Sequence, residues 1–193
     1  MFTNKNNRFV VYIFLIAIIL SACTIPGTTK NNTPTYSTGV VELDKIIDIV
    51  QGGDKEELMS VIRLTQAKCT LAEGLGGPPK CAANEQEGSI VEGLPIIGAE
   101  GYILRKDELG SWNGLDASTL FAVYEVSEQV FSDENYPAGE YAIVIINKDK
   151  STSLTLQVDQ GGIVRIDHGL EYPPSIPDGN VVRYLIHPVD AKP

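Results

Sequence analysis

"SLTLQVDQGGIVRIDHG", residues 153–169, decides the reading of the fold. Leu154, Leu156 and Val158 alternate with Thr155 and Gln157, the period-two pattern of a strand with one dry and one wet face. Gly161 and Gly162 supply a bend and "GIVRIDH" resumes strand character, so the stretch predicts a β-hairpin. On its second strand His168 shares a face with Val164 and Ile166, while Arg165 and Asp167 face the other way.

Working outward, "SIVEGLPII", "GYILRK", "TLFAVYEVSE" and "EYAIVIINK" are rich in β-branched and aromatic residues and read as further strands. After the proline-rich "EYPPSIPDG", the stretch "VVRYLIHPV" reads as an appended edge strand or a loosely packed tail, and proline at both flanks favours the edge. Toward the N-terminus the period changes. Leu43, Ile46, Ile47 and Val50 fall at i, i+3, i+4 and i+7, on one face of a helix that Gly52 and Gly53 stop. Asp54 and Glu57 have capping-box spacing, and Leu58, Val61 and Ile62 continue an apolar face, predicting a second helix from Asp54 to Gln66 across an αα-turn.

Helices first and strands after give an α+β class, a single domain over residues 40–193 with two N-terminal helices on a curved antiparallel sheet. That element order, ending in "GGIVRIDHG", resembles the nuclear-transport-factor-2-like cone between Val40 and Gly169. The resemblance implies a sheet face able to line a pocket. A plainer sheet-plus-helix domain is the alternative.

The chain opens with polar residues carrying Lys5 and Arg8, then runs through an uninterrupted apolar or aromatic stretch from Phe9 to Leu20. These are the first two regions of an export signal. A helix of that length rises roughly 18 Å, short of the ~30 Å hydrocarbon core, so a permanent span is the weaker reading. Leu20-Ser21-Ala22-Cys23 resembles the lipobox of bacterial lipoproteins. The resemblance implies cleavage before Cys23, diacylglyceryl transfer to its thiol and acylation of the new amine, so that acyl chains such as palmitate hold the protein to a lipid bilayer. It also implies an extracytoplasmic location, at the cell surface or the periplasmic face. Residues 1–22 are then the signal peptide, and residues 23–39, rich in Thr, Asn, Pro and Gly, form a flexible tether with a reach of roughly 20 Å. Past residue 22 the chain has 13 basic and 25 acidic residues, a net charge of −12. Such a surface argues against nucleic acid and against a polybasic grip on anionic lipid, leaving the acyl chains as the anchor.

With Cys23 lipidated, two thiols remain, Cys69 and Cys81, flanking the glycine- and proline-rich "CTLAEGLGGPPKC". Export favours a structural disulfide between them; free thiols or an intermolecular bond stay open. Neither a zinc-type ligand set nor the CxxC spacing of a redox pair occurs in the sequence. In a disulfide loop, Gly74, Gly76 and Gly77 would permit left-handed turns, and Pro78 and Pro79 would stiffen the return.

Candidates for binding chemistry are few. His168 ends a strand and could contact a ligand in a sheet-lined pocket, although a histidine packed at a strand end explains it as well. His187, before Pro188, reads as a surface residue. Trp112, in the turn-rich "KDELGSWNGLD", caps the core or contacts a ligand, and Tyr124 with Tyr136, Tyr141 and Tyr172 could line a cavity beside it. Glu85, Glu87, Glu92 and Glu100 lack regular spacing and read as a solvated acidic rim. There is no nucleophile elbow, no calcium loop and no phosphate cradle in the sequence, so no cofactor is expected. The expectation is a non-catalytic binding module of the cell envelope, meeting a small ligand or another envelope protein. Alternatives are an enzyme with a small pocket near His168, using Asp167 or Glu125, and a structural envelope-assembly protein, which would show a large exposed apolar patch.

Overall fold

The computed structural model describes residues 36–112, 117–147 and 151–188. The expected export segment, lipobox and most of the expected tether, and the turn expected at Asn113-Gly114, lie outside the described residues.

Helix α1 spans Val41–Gly52 and buries Leu43, Ile46, Ile47, Ile49 and Val50. Gly53, at φ 70°, ends it by returning its N–H to the Ile49 carbonyl, the left-handed stop that only glycine adopts without strain. Before it, Ser37 and Thr38 are tied to the helix: the Asp44 carboxylate accepts from the Thr38 amide (2.7 Å), the Thr38 hydroxyl (2.7 Å) and the Ser37 hydroxyl (3.1 Å).

Helix α2 covers Lys55–Ser60, with the Asp54 carboxylate accepting from the amides of Glu56 and Glu57 as the spacing predicts. It does not continue to Gln66. The Ile163 amide donates to the Val61 carbonyl at 2.8 Å and the Arg63 amide to the Ile163 carbonyl at 2.9 Å, so this backbone is drawn onto the sheet. Thr65–Lys68 follows as strand β1. The remaining elements are β2 (Ile90–Ile97), β3 (Tyr102–Arg105), a single helical turn α3 (Lys106–Leu109), β4 (Ala117–Val126), β5 (Tyr141–Asn147), β6 (Ser153–Asp159), β7 (Gly162–Gly169) and β8 (Val181–Ile186).

The fold is mixed α/β, with one long helix and an open, curved sheet of eight strands in the order β1-β2-β7-β6-β5-β4-β8, with β3 added to β2. Every pairing is antiparallel except β2 with β7, which run parallel through Ile96↔Ile166 and Ile97↔Asp167. The quoted hairpin forms, with its bend one residue earlier than the glycine pair suggests: Gln160 (φ 46°) and Gly161 (φ 72°) turn, and Gly162 already pairs with Asp159. The last stretch is an edge strand, β8 on β4.

Leu154, Leu156 and Val158 lie on the dry face as expected, in one cluster with Ile143, Ile145, Ile163, Ile166 and the apolar stripe of α1. Each such side chain taken fully from water contributes roughly 1.5–3 kcal/mol. The other face is not simply wet. Gln157 and Arg165 are each 2% exposed, and a second cluster of Phe121, Ala122, Tyr124, Ala142, Val144 and Ile146 is covered by Tyr172, Ile176, Val181 and Tyr184. Both faces of the sheet centre are therefore covered, one by α1 and the other in part by the chain between β7 and β8.

Candidate functional site

On the face away from α1, cross-strand register builds a floor from residues far apart in sequence. One row runs Tyr184, Tyr124, Ala142, Gln157, Arg165 and the next runs Ala122, Val144, Thr155, Asp167. A register shift between Gln157 and Val158 leaves Val164 without a cross-strand partner in the β6–β7 pairing, which is what puts Arg165 beside Gln157. The small side chains of Ala122 and Ala142 leave room above the sheet. Over that room passes the segment Leu170–Pro177, which contains a cis Tyr172-Pro173 bond, and the two enclose a cleft of about 390 Å³.

The polar groups of the floor are tied together. Arg165 donates from Nε to Asp167 Oδ1 at 2.7 Å and from Nη2 to Oδ2 at 3.0 Å, and Gln157 Nε2 donates to the same Oδ2 at 2.9 Å. Arg165 Nη1 donates to the carbonyls of Phe131 (2.8 Å) and Tyr136 (2.9 Å), and the Gly139 amide donates to Gln157 Oε1 at 3.2 Å. A buried guanidinium with this many partners is a fixed strut, since removing any one leaves polar groups stranded away from water. Tyr124 lines the cleft with its ring edge-on to Tyr184, centroids 6.0 Å apart. Burial, reinforced by the nearby Asp167 charge, pushes its phenol up to about 12, so its hydroxyl keeps its proton. The hydroxyls of Tyr124, Ser153 and Thr155, all at the cleft, carry no hydrogen bond among the described residues.

Comparison with protein-family models, with curated proteins and with solved structures gives no match.

Of the side chains singled out in the sequence, Tyr124 belongs to this cleft, while His168 and Trp112 do not. His168 stands opposite Leu154 on the helix-covered face, and Gly98 lies close to it. Its Nε2 is buried without a partner, and burial holds its pKa below the ordinary histidine value despite the adjacent Asp167. Trp112 is half-buried and packs against the α1-side core, a capping position. His187 stacks at 5.1 Å on Tyr184 near the end of the edge strand. Arg165 and Gln157 are the functional-face residues that sequence reading passes over. Their signal is a charged and an amide side chain within otherwise apolar strands, and their partners become visible only through register.

Cys69 and Cys81 form a disulfide, with sulfurs 2.04 Å apart. Gly74, Gly76 and Gly77 between them all have positive φ. Of the four acids after the loop, Glu87, Glu92 and Glu100 are exposed, as a solvated rim requires, and three have partners: Glu85 takes a bidentate pair from Arg105 at 2.9 and 2.8 Å, Glu87 accepts from the Leu71 amide, and Glu92 pairs with Lys106 at 2.7 Å. The hydrogen bonds from Arg105 hold Glu85 below the usual carboxylate range. Cys69, Cys81 and Glu85 present potential ligand atoms within 4.8 Å of one another, but the sulfurs are joined and the carboxylate is engaged by Arg105. This corner is built as a brace for the loop.

Proposed function

We propose that the protein is an exported lipoprotein, held to a bilayer by acyl groups on Cys23, whose domain is a non-catalytic binding module receiving a small ligand in the cleft under Leu170–Pro177. The observation that carries the reading is the cleft itself: a roomy, polar-floored concavity whose one strongly charged pair is locked by its own partners. A floor of this kind positions and recognises; it has no activated nucleophile or paired acid and base among the residues that line it. The enzyme alternative near His168 draws no support, because that ring faces the side of the sheet opposite the cleft. Within this reading, the nuclear-transport-factor-2-like cone is supported by a helix lying on a curved, mostly antiparallel sheet. The Leu-Ser-Ala-Cys box and the acidic charge balance support lipid anchoring over electrostatic attachment.

Two measurements test the proposal. In a bacterial host given labelled palmitate, the wild-type chain takes up label and partitions into detergent, and Cys23→Ser does neither; a Cys23→Ser chain that still partitions overturns the anchor. For the cleft, hydrogen exchange of the full chain is compared with and without a low-molecular-weight extract of the cell envelope. Protection confined to residues 153–157 and 169–177 is expected, and no protection there overturns the binding module.

A further inference from the structure

The cleft has a definite chemical character, and, on the reading of it as a ligand site, we propose that its occupant is an uncharged saccharide of one or two rings.

Charge comes first. Among the described residues no Lys, Arg or His lines the cleft, and its carboxylates are Asp167 and Glu171. Arg165, the cation beneath the floor, spends Nε and Nη2 on Asp167 and Nη1 on two backbone carbonyls, and at 2% exposure it cannot swing toward an incoming anion. Among the described residues a phosphate or carboxylate ligand would meet carboxylates and no free cation. Asp167 in turn has its charge offset by the bidentate guanidinium, so an organic cation would find one uncompensated carboxylate, Glu171, on the exposed segment that passes over the cleft. The floor is close to neutral.

Hydrogen-bonding capacity comes second. Tyr124, Ser153 and Thr155 present three hydroxyls without partners among the described residues, and each can donate and accept. Asp167 accepts three hydrogen bonds and retains acceptor capacity. A ligand whose own groups both donate and accept satisfies such a floor, and a polyol is the simplest one. An apolar ligand would strand these hydroxyls away from water without a hydrogen bond in return.

Shape comes third. Val144 on the floor and Ile176 and Pro174 above it are apolar surfaces to hold the C–H faces of a ring, while the polar groups meet its edge. A volume of about 390 Å³ lies at the small end of ligand sites and suits one or two sugar rings.

The test is calorimetry on the full chain in a detergent without a sugar headgroup. The probes are N-acetylglucosamine, galactose and cellobiose, with inorganic phosphate and tetramethylammonium alongside. At least one saccharide is expected to bind saturably, and neither ion. Thr155→Val and Tyr124→Phe remove hydroxyls while keeping shape, and each should weaken saccharide binding by roughly three- to tenfold. Their thermal midpoints are measured in parallel so that a folding defect is not read as lost binding. If no saccharide binds, or if both variants bind like wild type with unchanged midpoints, the proposal is overturned. Tetramethylammonium binding that protects residues 153–157 from exchange would overturn the saccharide assignment and leave the binding module standing. A cleft protected by nothing, envelope extract included, would remove both.

Discussion

A methyl group added to Gly76 would stand 2.8 Å from the carbonyl oxygen of Gly101, on a backbone held at φ +72°. Both problems have one origin. The loop between the two cysteines must lie against the β2–β3 turn closely enough for the Gly77 amide to reach that carbonyl, at 2.6 Å, and for the Tyr136 hydroxyl to reach the Gly77 carbonyl. Gly77, at a matching φ of +74°, has no such neighbour within 4 Å, so substitution there costs only the unfavourable φ. Gly76→Ala should therefore lower stability by about 1–3 kcal/mol, and more than Gly77→Ala, as read from denaturant midpoints. Equal losses at the two positions would show that the close approach to Gly101 carries no weight. Positive φ at Gly74, Gly76 and Gly77 was legible from composition alone, because a glycine cluster between flanking cysteines has few other uses. The contact with Gly101 was not, since it joins backbone atoms that no side-chain pattern marks.

The disulfide acts between elements, holding the end of β1 to the return of its loop. The Cys81 amide donates to the Thr70 carbonyl at 3.0 Å and the Thr70 amide to the Pro79 carbonyl at 2.9 Å, so the crosslink closes a loop already paired at its base. A loop of this size restrains the unfolded chain by roughly 3 kcal/mol. Cys69→Ser under oxidising conditions should accordingly lower the thermal midpoint by roughly 6–12 °C in a domain of this length, and an unchanged midpoint would show the crosslink to be idle. β1 itself is the element that sequence reading placed wrongly. In Thr-Gln-Ala-Lys only Ala67 is buried, so no alternation survives to announce a strand, and the apolar Val61 and Ile62 just before it extend the helical period instead. Backbone pairing with β2 overrides that local pattern. The later strands were legible for the opposite reason: β5 and β6 each bury at least five residues, β5 through an unbroken β-branched run from Ile143 to Ile146 and β6 with Leu154, Leu156 and Val158 at period two. The cleft followed neither rule, because its floor is assembled by register across β4, β5, β6 and β7 from a few alternate residues in each.

At the scale of the whole molecule, three groups respond to acid in the same direction. His168 is pushed down by burial, against the pull of Asp167. Burial raises Asp44, but the hydrogen bonds from Thr38 and Ser37 outweigh it and hold the carboxyl low, while Arg105 holds Glu85 low. For His168 the folded pKa lies below the unfolded value near 6.5, so the unfolded chain takes up the proton first and stability falls as pH drops through 6.5 toward the folded value. For Asp44 and Glu85 the contribution is complete above their unfolded values near 3.8 and 4.5, and it is lost as pH falls through the lower folded ones. Net charge opposes this loss. The chain carries −10 at pH 7, and its isoelectric point is near 4.6, so acidification first relieves self-repulsion. The stability curve should therefore be shallow between pH 7 and 5, with the histidine loss set against the charge relief, and should fall steeply below pH 4.5 as the tied carboxylates protonate. His168→Phe removes only the first of these terms. Denaturant midpoints followed from pH 8 to 3.5 should show this variant gaining relative to wild type as pH falls through 6.5, with the two curves parallel once pH is below the lowered folded value of His168. A pH-independent difference between the curves would mean that His168 titrates alike in the folded and unfolded chains.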